Sequence, residues 1–312
     1  MTDVNAPPRG TPAVPAALRA NGGLGAISGP PVRLIAWNIR AGGGRRVDAI
    51  LAQLARWTPD VVALSEFRAT EPSVTLARGL AAQGLDCQLT SAAARTPNVN
   101  ALLVASRWPL RRIRMSCAPA DCRWLLADVQ APEPFAVGAM HVPNRVSGRK
   151  YPFLDAVLEV ARRWRGGPAL LAGDTNSGRR DIDEESPAFN LREEAWIDAL
   201  AASGWADAFR ALSGQQRVYT WYSPNGRNGF RIDQAFVNAA LLDRVSGARY
   251  VWARAGRGDR QDAISDHAAL VVDLAVARAA LPAPLMNVRK PLAKAPAAAI
   301  AVAANVREET TA

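Results

Sequence analysis

The 312-residue sequence has few cysteines and no long apolar run, and each shortage excludes a class of protein. Its three cysteines, Cys87, Cys117 and Cys122, are odd in number and are not spaced as metal-binding pairs. We therefore expect neither a disulfide framework nor a structural zinc site. We expect the protein to be in a reducing compartment such as the cytoplasm. No apolar run approaches the ~18–20 residues of a membrane-spanning helix, so we expect no membrane partner. No short repeat is present, and 49% hydrophobic residues is too many for a disordered chain.

Lysine is scarce as well, so the positive charge of the chain is almost entirely arginine. Only Lys150, Lys290 and Lys294 contribute to the 38 basic residues, which outnumber 28 acidic residues and give a net charge of +10. Of this charge, +6 belongs to residues 31–277. Arginine binds phosphate through two parallel hydrogen bonds, and a basic surface attracts polyanions. An arginine- and alanine-rich composition is also typical of a GC-rich genome, so the charge permits a nucleic-acid partner without demonstrating one.

Both ends of the chain are of low complexity, and the segment between them is predicted to be one domain. Residues 1–30 are rich in proline, glycine and alanine, without apolar periodicity or the pattern of a signal peptide. Residues 278–312 are an alanine-rich stretch broken by prolines. We expect both segments to be disordered tails. No linker interrupts residues 31–277, which matches the size range of a single domain.

Strand and helix patterns alternate along this domain. Helical spacing predicts helices at Val47–Trp57, Ser73–Gln83, Arg149–Arg165 and Leu191–Ser203. Short apolar runs predict strands at Val32–Ile39, Val61–Glu66, Ala101–Ser106, Trp124–Gln130, Phe135–His141, Ala169–Ala172, Val218–Tyr222, Ile232–Val237, Arg249–Ala253 and Ala268–Leu274. Many short strands with helices among them indicate an α+β or layered α/β fold, with two stacked sheets inside helical layers.

Six of the apolar segments begin or end at polar residues suited to metal or phosphate chemistry. These residues are Asn38, Glu66, His141 with Asn144, Asp174 with Asn176, Asp233, and Asp266 with His267. Each one alone also fits a turn, a helix cap, a core residue or, for Asp233, an ion pair with Arg231. The chain has only two histidines, however, and both belong to this set. Their joint occurrence favours a functional site at the strand ends.

Hydrolysis of a phosphoester is the chemistry that this set supports. A phosphodiester is anionic and repels hydroxide, so its hydrolysis is helped by a hard cation. Mg²⁺ prefers one or two carboxylates together with water and substrate oxygens, and Mn²⁺ is an alternative. Glu66 is the best single ligand, and Asn38 and Asp266 are further candidates. Serine-based acyl transfer fits poorly, because the chain has no Gly-x-Ser-x-Gly sequence.

The remaining polar residues can be given roles in the same reaction. A neutral His267 can take a proton from the attacking water if Asp233 orients its ring. Asp174 can align or activate the same water. Two amides, those of Asn176 and Asn144, can donate to the non-bridging phosphate oxygens. His141 can donate a hydrogen bond or a proton to the phosphate or to the leaving oxygen.

In this order, these residues resemble the endonuclease/exonuclease/phosphatase superfamily. The resemblance covers residues 32–275 and rests on a combination of short motifs. These are Trp37-Asn38-Ile39, Glu66, His141-Val142-Pro143-Asn144, Gly173-Asp174-Thr175-Asn176, Arg231-Ile232-Asp233 and Ser265-Asp266-His267. It implies a DNase I-like four-layer α/β sandwich, in which two stacked mixed β-sheets are flanked by helices, and a Mg²⁺-dependent phosphoesterase activity.

The second half of the chain is most similar to the exonuclease III and apurinic/apyrimidinic endonuclease branch. Tyr219-Thr220-Trp221-Tyr222 and Asn228-Gly229-Phe230-Arg231-Ile232-Asp233 carry this similarity. The branch implies an active site at Asn38, Glu66, Asp174, Asn176, Asp233, Asp266 and His267. It also implies that Trp221, Phe230 and Ile232 lie where an abasic sugar would bind, although core packing is the favoured explanation for these three.

Several positions depart from that branch. His141 stands where tyrosine is usual, Ser65-Glu66-Phe67 replaces Gln-Glu-Thr, and Arg40 replaces a second carboxylate. The run Gly42-Gly43-Gly44-Arg45-Arg46 is also unusual and can cradle a phosphate. These departures bear on specificity for abasic sites more than on phosphodiesterase chemistry.

The sequence therefore predicts a monomeric Mg²⁺-dependent nuclease that acts on DNA rather than RNA, of the kind used in DNA repair. Two alternatives remain. The first is a phosphatase or phosphodiesterase for small-molecule or lipid phosphate esters on the same scaffold. The second is a nucleic-acid-binding protein without catalytic activity, which would be expected to lack at least one site residue.

Overall fold

The computed structural model describes residues 30–254 and 264–276. The tails expected at residues 1–30 and 278–312 lie outside the described residues, apart from Pro30. No helix in the described part of the chain is both long and apolar enough to pass through a membrane.

Two six-stranded mixed sheets form the centre of the molecule. Sheet 1 contains β1 (Val32–Asn38), β2 (Val61–Phe67), β3 (Cys87–Thr90), β4 (Ala101–Ser106), β13 (Val245–Val251) and β14 (Ala269–Leu274). Sheet 2 contains β5 (Leu110–Arg112), β6 (Trp124–Val129), β7 (Phe135–His141), β8 (Ala169–Asp174), β9 (Trp205–Asp207) and β12 (Asp233–Asn238). A separate two-stranded ribbon pairs β10 (Trp221–Tyr222) with β11 (Gly229–Phe230).

The two large sheets have the same pattern of strand directions. Sheet 1 has the order β13-β14-β1-β2-β4-β3, and sheet 2 has the order β5-β6-β7-β8-β12-β9. Each sheet contains one parallel pair at its centre, β1 with β2 and β7 with β8, and the other neighbours are antiparallel. The carboxyl ends of each parallel pair therefore meet at one edge of their sheet.

Helices cover the outer face of each sheet. The described helices are α1 (Val47–Trp57), α2 (Glu71–Ala82), α3 (Lys150–Arg163), α4 (Leu191–Ala202), α5 (Ala208–Ser213) and α6 (Ala239–Leu242). Asn190 begins α4 with a reciprocal capping box, in which its side chain accepts from the backbone N–H of Glu193 and the Glu193 side chain accepts from the N–H of Asn190.

The layers are held together by strands that alternate their side chains between two cores. In β1, Leu34 belongs to the core between the sheets, whereas Ile35 packs outward with Ile50 of α1. In β8, Leu170 faces the core between the sheets, and Leu171 packs outward in the cluster that contains α3 and α4. This two-residue period lets one strand bury apolar side chains on both faces.

The predicted fold class is confirmed: the molecule is an α/β sandwich of two mixed sheets between helical layers. The strand expected at Val218–Tyr222 is shorter and spans only Trp221–Tyr222. The strand expected at Arg249–Ala253 begins earlier and spans Val245–Val251. The short elements β3, β5, β9, β11, α5 and α6 were not expected. Segments of two to six residues carry too few periods for apolar spacing to identify them.

One buried carboxylate joins three strands of sheet 1 and makes stability depend on pH. Asp273 of β14 accepts from Arg33 of β1 at 2.7 Å and from Arg249 of β13 at 2.6 Å. Burial alone would raise the pKa of Asp273, but these two arginines outweigh it and leave the pKa lowered. A carboxylate whose pKa is lowered by folding stabilises the fold above its unfolded pKa of about 4, and loses that contribution as pH falls.

We therefore expect the free energy of unfolding to decrease as the pH is lowered from about 5 to about 3, and Asp273→Asn to reduce this decrease. Urea titrations of the wild type and the variant at several pH values measure both effects. Parallel pH profiles for the two proteins would show that Asp273 is not the source.

Candidate active site

The polar residues at the strand ends converge on one edge of the molecule, where the two sheets meet. Asn38 ends β1 and Asp174 ends β8, so they belong to different sheets. Their side chains are nevertheless in contact, because the Asn38 Nδ2 donates to Asp174 Oδ2 at 3.1 Å. Asn38 is 1% exposed and Asp174 is 2% exposed, so the contact lies in a protected environment.

Glu66 lies beside Asn38, at an irregularity of β2. The register of β2 shifts between Ser65 and Phe67, and Glu66 itself has a φ of 58°. Asn38 Nδ2 lies 3.4 Å from Glu66 Oε1, and the N–H of Ala41 donates to Glu66 Oε2 at 2.6 Å. Burial alone would raise the pKa of Glu66, but the Ala41 hydrogen bond and the nearby His141 outweigh it and leave the pKa lowered. Glu66 is therefore ionised at neutral pH.

His141 and Asp174 end neighbouring strands in direct register. The parallel pairing of β7 with β8 places His141 opposite Asp174, and His141 Nε2 lies 3.6 Å from Asp174 Oδ2. Burial raises the pKa of Asp174 more than the two nearby histidines lower it. Burial also lowers the pKa of His141. The geometry thus combines a buried carboxyl with an imidazole that favours its neutral form.

Asp233 and His267 form the closest acid–histidine pair of the site. Asp233 begins β12 directly opposite Asp174, and its Oδ2 accepts from His267 Nδ1 at 3.0 Å. The other ring nitrogen of His267, Nε2, lies 4.0 Å from Asp174 Oδ2. Burial alone would lower the pKa of His267, but the two carboxylates outweigh it and raise the pKa to about 9. His267 is therefore charged at neutral pH, which differs from the neutral imidazole expected from the sequence.

Residues that sequence reasoning gave no role hold this pair in place. Thr220 Oγ1 accepts from the N–H of Asp233 at 3.2 Å, and the hydroxyl of Tyr250 donates to the Asp233 carbonyl at 2.8 Å. Trp37 Nε1 donates to the His267 carbonyl at 3.0 Å. Thr220 lies inside a motif quoted above, but no local pattern identifies Tyr250, which is 17 residues after Asp233.

The ion pair that offered another explanation for Asp233 does not form. Arg231 is fully buried and bonds Asp183 at 2.6 and 3.1 Å and Asp207 at 2.7 Å. Its Nη1 also donates to the hydroxyl of Tyr250 at 3.1 Å. These partners occupy the guanidinium, and the Asp233 carboxylate faces His267.

The other candidate residues occupy different parts of the site. Asn176 has a φ of 45°, its N–H donates to Asp174 Oδ1 at 2.9 Å, and its Nδ2 donates to the Val142 carbonyl at 2.8 Å. Asp266 is partly exposed and lies 4.0 Å from Arg40 Nε. Asn144 is exposed in the turn that follows β7. Asn144 thus lies two residues after Val142, whose carbonyl accepts from Asn176, whereas Asn176 braces Asp174 directly.

The aromatic candidates pack beside His267. The Trp221 ring lies 6.3 Å from the His267 ring and 5.9 Å from the Phe230 ring, measured between centroids. Phe230 is 9% exposed and Ile232 is 5% exposed, which fits their alternative role in core packing. Trp221 is half-buried and keeps part of its ring accessible.

The donor set fits a hard divalent cation with few protein ligands. Within the described residues, no group of three or more His, Cys, Asp or Glu side chains is arranged to hold a metal ion closely. Mg²⁺ commonly takes only one or two carboxylates and completes its shell with water and substrate. The ionised Glu66 and the amide oxygen of Asn38 provide hard oxygen donors of this kind, although that oxygen also accepts from the Arg40 N–H at 2.9 Å.

Comparison with known sequences finds a matching family and a curated relative. The model of the Endonuclease/Exonuclease/phosphatase family matches residues 35–267. An exodeoxyribonuclease of Streptococcus pneumoniae is 28% identical over 121 residues, which are 34% of this chain and 41% of that protein. The match thus spans about two fifths of the length of this curated relative.

Solved structures share the fold over most of the chain. An AP endonuclease from Archaeoglobus fulgidus superposes with a TM-score of 0.65 at 17% identity, covering 78% of this chain and 100% of that one. A 3′ phosphatase from Neisseria bound to a product DNA hairpin gives a TM-score of 0.64 at 21% identity, covering 78% and 99%. At these identities the superpositions establish the four-layer fold.

Proposed function

Because the chain belongs to the Endonuclease/Exonuclease/phosphatase family, a family of phosphoester hydrolases, we propose that it hydrolyses phosphodiester bonds of DNA with the help of Mg²⁺. Mn²⁺ is the alternative ion. The observation that carries the proposal is the continuous set of contacts from Glu66 through Asn38 and Asp174 to His267 and Asp233. Both sheets supply these residues. His267 lies between the carboxyl groups of Asp233 and Asp174, and Asn38 joins Asp174 to Glu66.

The residues of this set have complementary parts in water attack on a phosphodiester. Glu66 and Asn38 would hold the ion, with Asp266 as a further candidate; when bound, the ion offsets negative charge on the phosphoryl oxygens. Asp174 lies between both histidines and is the candidate to align the attacking water and accept its proton. His267, oriented by Asp233, presents Nε2 as a donor to a phosphoryl oxygen. His141 is placed to donate to the phosphate or to the leaving oxygen.

A polyanionic substrate is supported by the charge of the chain and by the relatives. Residues 31–277 carry +6 of the net charge, nearly all of it arginine. The exposed Arg40 lies at the site itself, with its Nε 4.0 Å from Asp266. The relatives include an exodeoxyribonuclease and a phosphatase bound to DNA, so DNA is favoured over RNA. A role in DNA repair is part of the same proposal.

The proposal is tested with purified protein on intact, nicked and abasic duplex DNA, on single-stranded RNA, and on a small phosphodiester. We expect hydrolysis of at least one DNA substrate with Mg²⁺ and none with a chelator present. Cleavage of DNA should decrease steeply as salt is added, because phosphate contacts release counterions. Hydrolysis that persists in the presence of the chelator would contradict the proposed dependence on a divalent metal ion. Binding of DNA without hydrolysis would indicate a non-catalytic binding protein.

A phosphatase or phosphodiesterase for small or lipid phosphate esters is the second candidate. It is favoured by His141, because the nuclease branch usually has tyrosine at this position. His141 Nε2 lies 3.6 Å from Asp174 Oδ2. Such a substrate makes few charged contacts, so its hydrolysis should depend only weakly on salt. A faster, salt-insensitive reaction on the small ester than on any DNA would select this candidate.

A further inference from the structure

The glycine-rich segment after β1 has no part in the proposed reaction, although it touches the site. Five consecutive residues, 40–44, have φ values between 52° and 79°. Two of them, Arg40 and Ala41, are not glycine, and L-residues rarely adopt this left-handed conformation. The segment is therefore held in this conformation by its contacts.

These contacts connect the segment to Glu66. The N–H of Ala41 donates to Glu66 Oε2 at 2.6 Å, and the N–H of Gly42 donates to the Glu66 carbonyl at 2.8 Å. A Cβ on Gly42 would lie 2.9 Å from Ser73 Oγ on α2, so the segment is also closely packed from behind. The position of this segment thus determines where the Glu66 carboxylate lies.

Arg46 connects the same segment to the residues before His267. Its guanidinium donates to the carbonyl oxygens of Ile39 at 3.2 Å, Arg40 at 2.5 Å and Ile264 at 2.5 Å. Ile264 lies two residues before Asp266. In the part of the chain that the structure describes, the side-chain hydrogen bonds of Arg46 all go to backbone carbonyls. One planar, half-buried side chain therefore joins two backbone segments, the one that follows β1 and the one that precedes Asp266.

We propose that Arg46 is a positioning residue, which sets the separation of Glu66 and Asp266 and thereby the affinity of the site for a divalent cation. The proposal rests on the proposed function for the identity of the ion. The competing explanation is that Arg46 and its segment cradle a substrate phosphate. The two explanations predict opposite changes in cation affinity when Arg46 is replaced. Loss of the positioning contacts would weaken cation binding, whereas loss of a positive charge beside two carboxylates would by itself strengthen it.

The test measures Mn²⁺ binding without DNA, from the electron paramagnetic resonance signal of the free ion, in wild type, Arg46→Met, Arg46→Lys and Arg45→Met. We expect Arg46→Met to raise the Kd for Mn²⁺ by about 10- to 100-fold, the usual effect of removing support from a metal ligand. Arg46→Lys should also raise it, because one ammonium cannot match the planar fork. Arg45→Met removes the same charge from the exposed neighbouring position and should leave the Kd unchanged or slightly lower.

A second measurement separates the explanations further. At saturating Mn²⁺, the Arg46 variants should recover most of their kcat on DNA, with the KM for DNA within about twofold of wild type. A raised KM for DNA with an unchanged Mn²⁺ Kd would overturn the proposal in favour of the phosphate cradle. If Arg46→Met does not fold, the Kd of Arg46→Lys for Mn²⁺ tests the proposal instead. A wild-type Kd for Mn²⁺ in Arg46→Lys would also overturn the proposal. If the wild type binds Mn²⁺ but cleaves no DNA, the proposed function fails while the metal-binding comparison still stands.

Discussion

Replacing Asp174 with asparagine is expected to lower kcat for DNA hydrolysis by about 10²- to 10⁴-fold, the range for loss of a positioned proton acceptor. Its Oδ2 accepts from Asn38 at 3.1 Å and lies within 4.0 Å of the Nε2 atoms of both His141 and His267. An amide has nearly the same shape but cannot accept the proton of the attacking water. Steady-state kinetics at saturating Mg²⁺ measure the loss.

The same variant should not lose stability, and this separates a catalytic role from a structural one. Burial raises the pKa of Asp174, which means that the charged form of this carboxyl is less favourable in the fold than in the unfolded chain. At neutral pH, a neutral amide should therefore maintain or raise the unfolding temperature. Asp155→Asn, at an exposed ion pair with Arg192, is the matched control and should leave kcat unchanged. Near-wild-type kcat in Asp174→Asn would remove Asp174 from the mechanism.

Replacing Arg231 with methionine is expected to cost about 3–5 kcal/mol of unfolding free energy, the range for breaking a buried ion pair from one side. Arg231 is fully buried between Asp183 and Asp207, and Asp183 is itself 0% exposed. The change would leave Asp207 without a guanidinium partner and Asp183 with Arg210 alone, so this buried cluster would carry an excess of negative charge next to the segment that leads into Asp233. Urea denaturation measures the loss.

Two further variants identify the source of this effect. Arg78→Met breaks an exposed pair with Glu71 on α2 and should change stability by no more than about 1 kcal/mol. Adding Asp183→Asn to Arg231→Met should restore part of the lost stability, because it removes one of two carboxylates that would share the single remaining guanidinium of Arg210. A loss of less than about 1 kcal/mol in Arg231→Met itself would contradict this prediction. It would show that the attraction within the ion pair barely exceeds the cost of removing its charges from water.

The predictability of each element depended on its length. The 11-residue helix α1 was located at its correct bounds, because its apolar residues recur over three turns. The strand β7 was also located correctly, since all seven of its residues are buried. The three-residue strands β5 and β9 were missed. Such short segments are stabilised as strands by hydrogen bonds to partners far away in sequence, which no local window contains.

The sequence predicted that the candidate residues lie close together and that Asp233 could orient His267, but it did not predict most of their other contacts. The sequence indicated that Asp233 could either pair with Arg231 or orient His267, and the structure shows the second arrangement. It suggested a neutral His267, whereas the carboxylates of Asp233 and Asp174 outweigh the effect of burial, which alone would lower the pKa, and raise the pKa of His267 to about 9. A pKa depends on distances to charges across the fold and on exclusion of water, and neither can be counted along a chain.

Local patterns in the sequence predicted an α+β or layered α/β fold and the polar residues at the strand ends, because apolar periodicity and strand termination are properties of neighbouring residues. The contact of Asn38 with Asp174, 136 residues later, and that of Arg46 with the Ile264 carbonyl are visible only in the folded molecule. Those contacts depend on the stacking of two separate sheets and on a left-handed turn held by distant atoms. Distances between layers are a result of packing the whole core, so short-range patterns do not encode them.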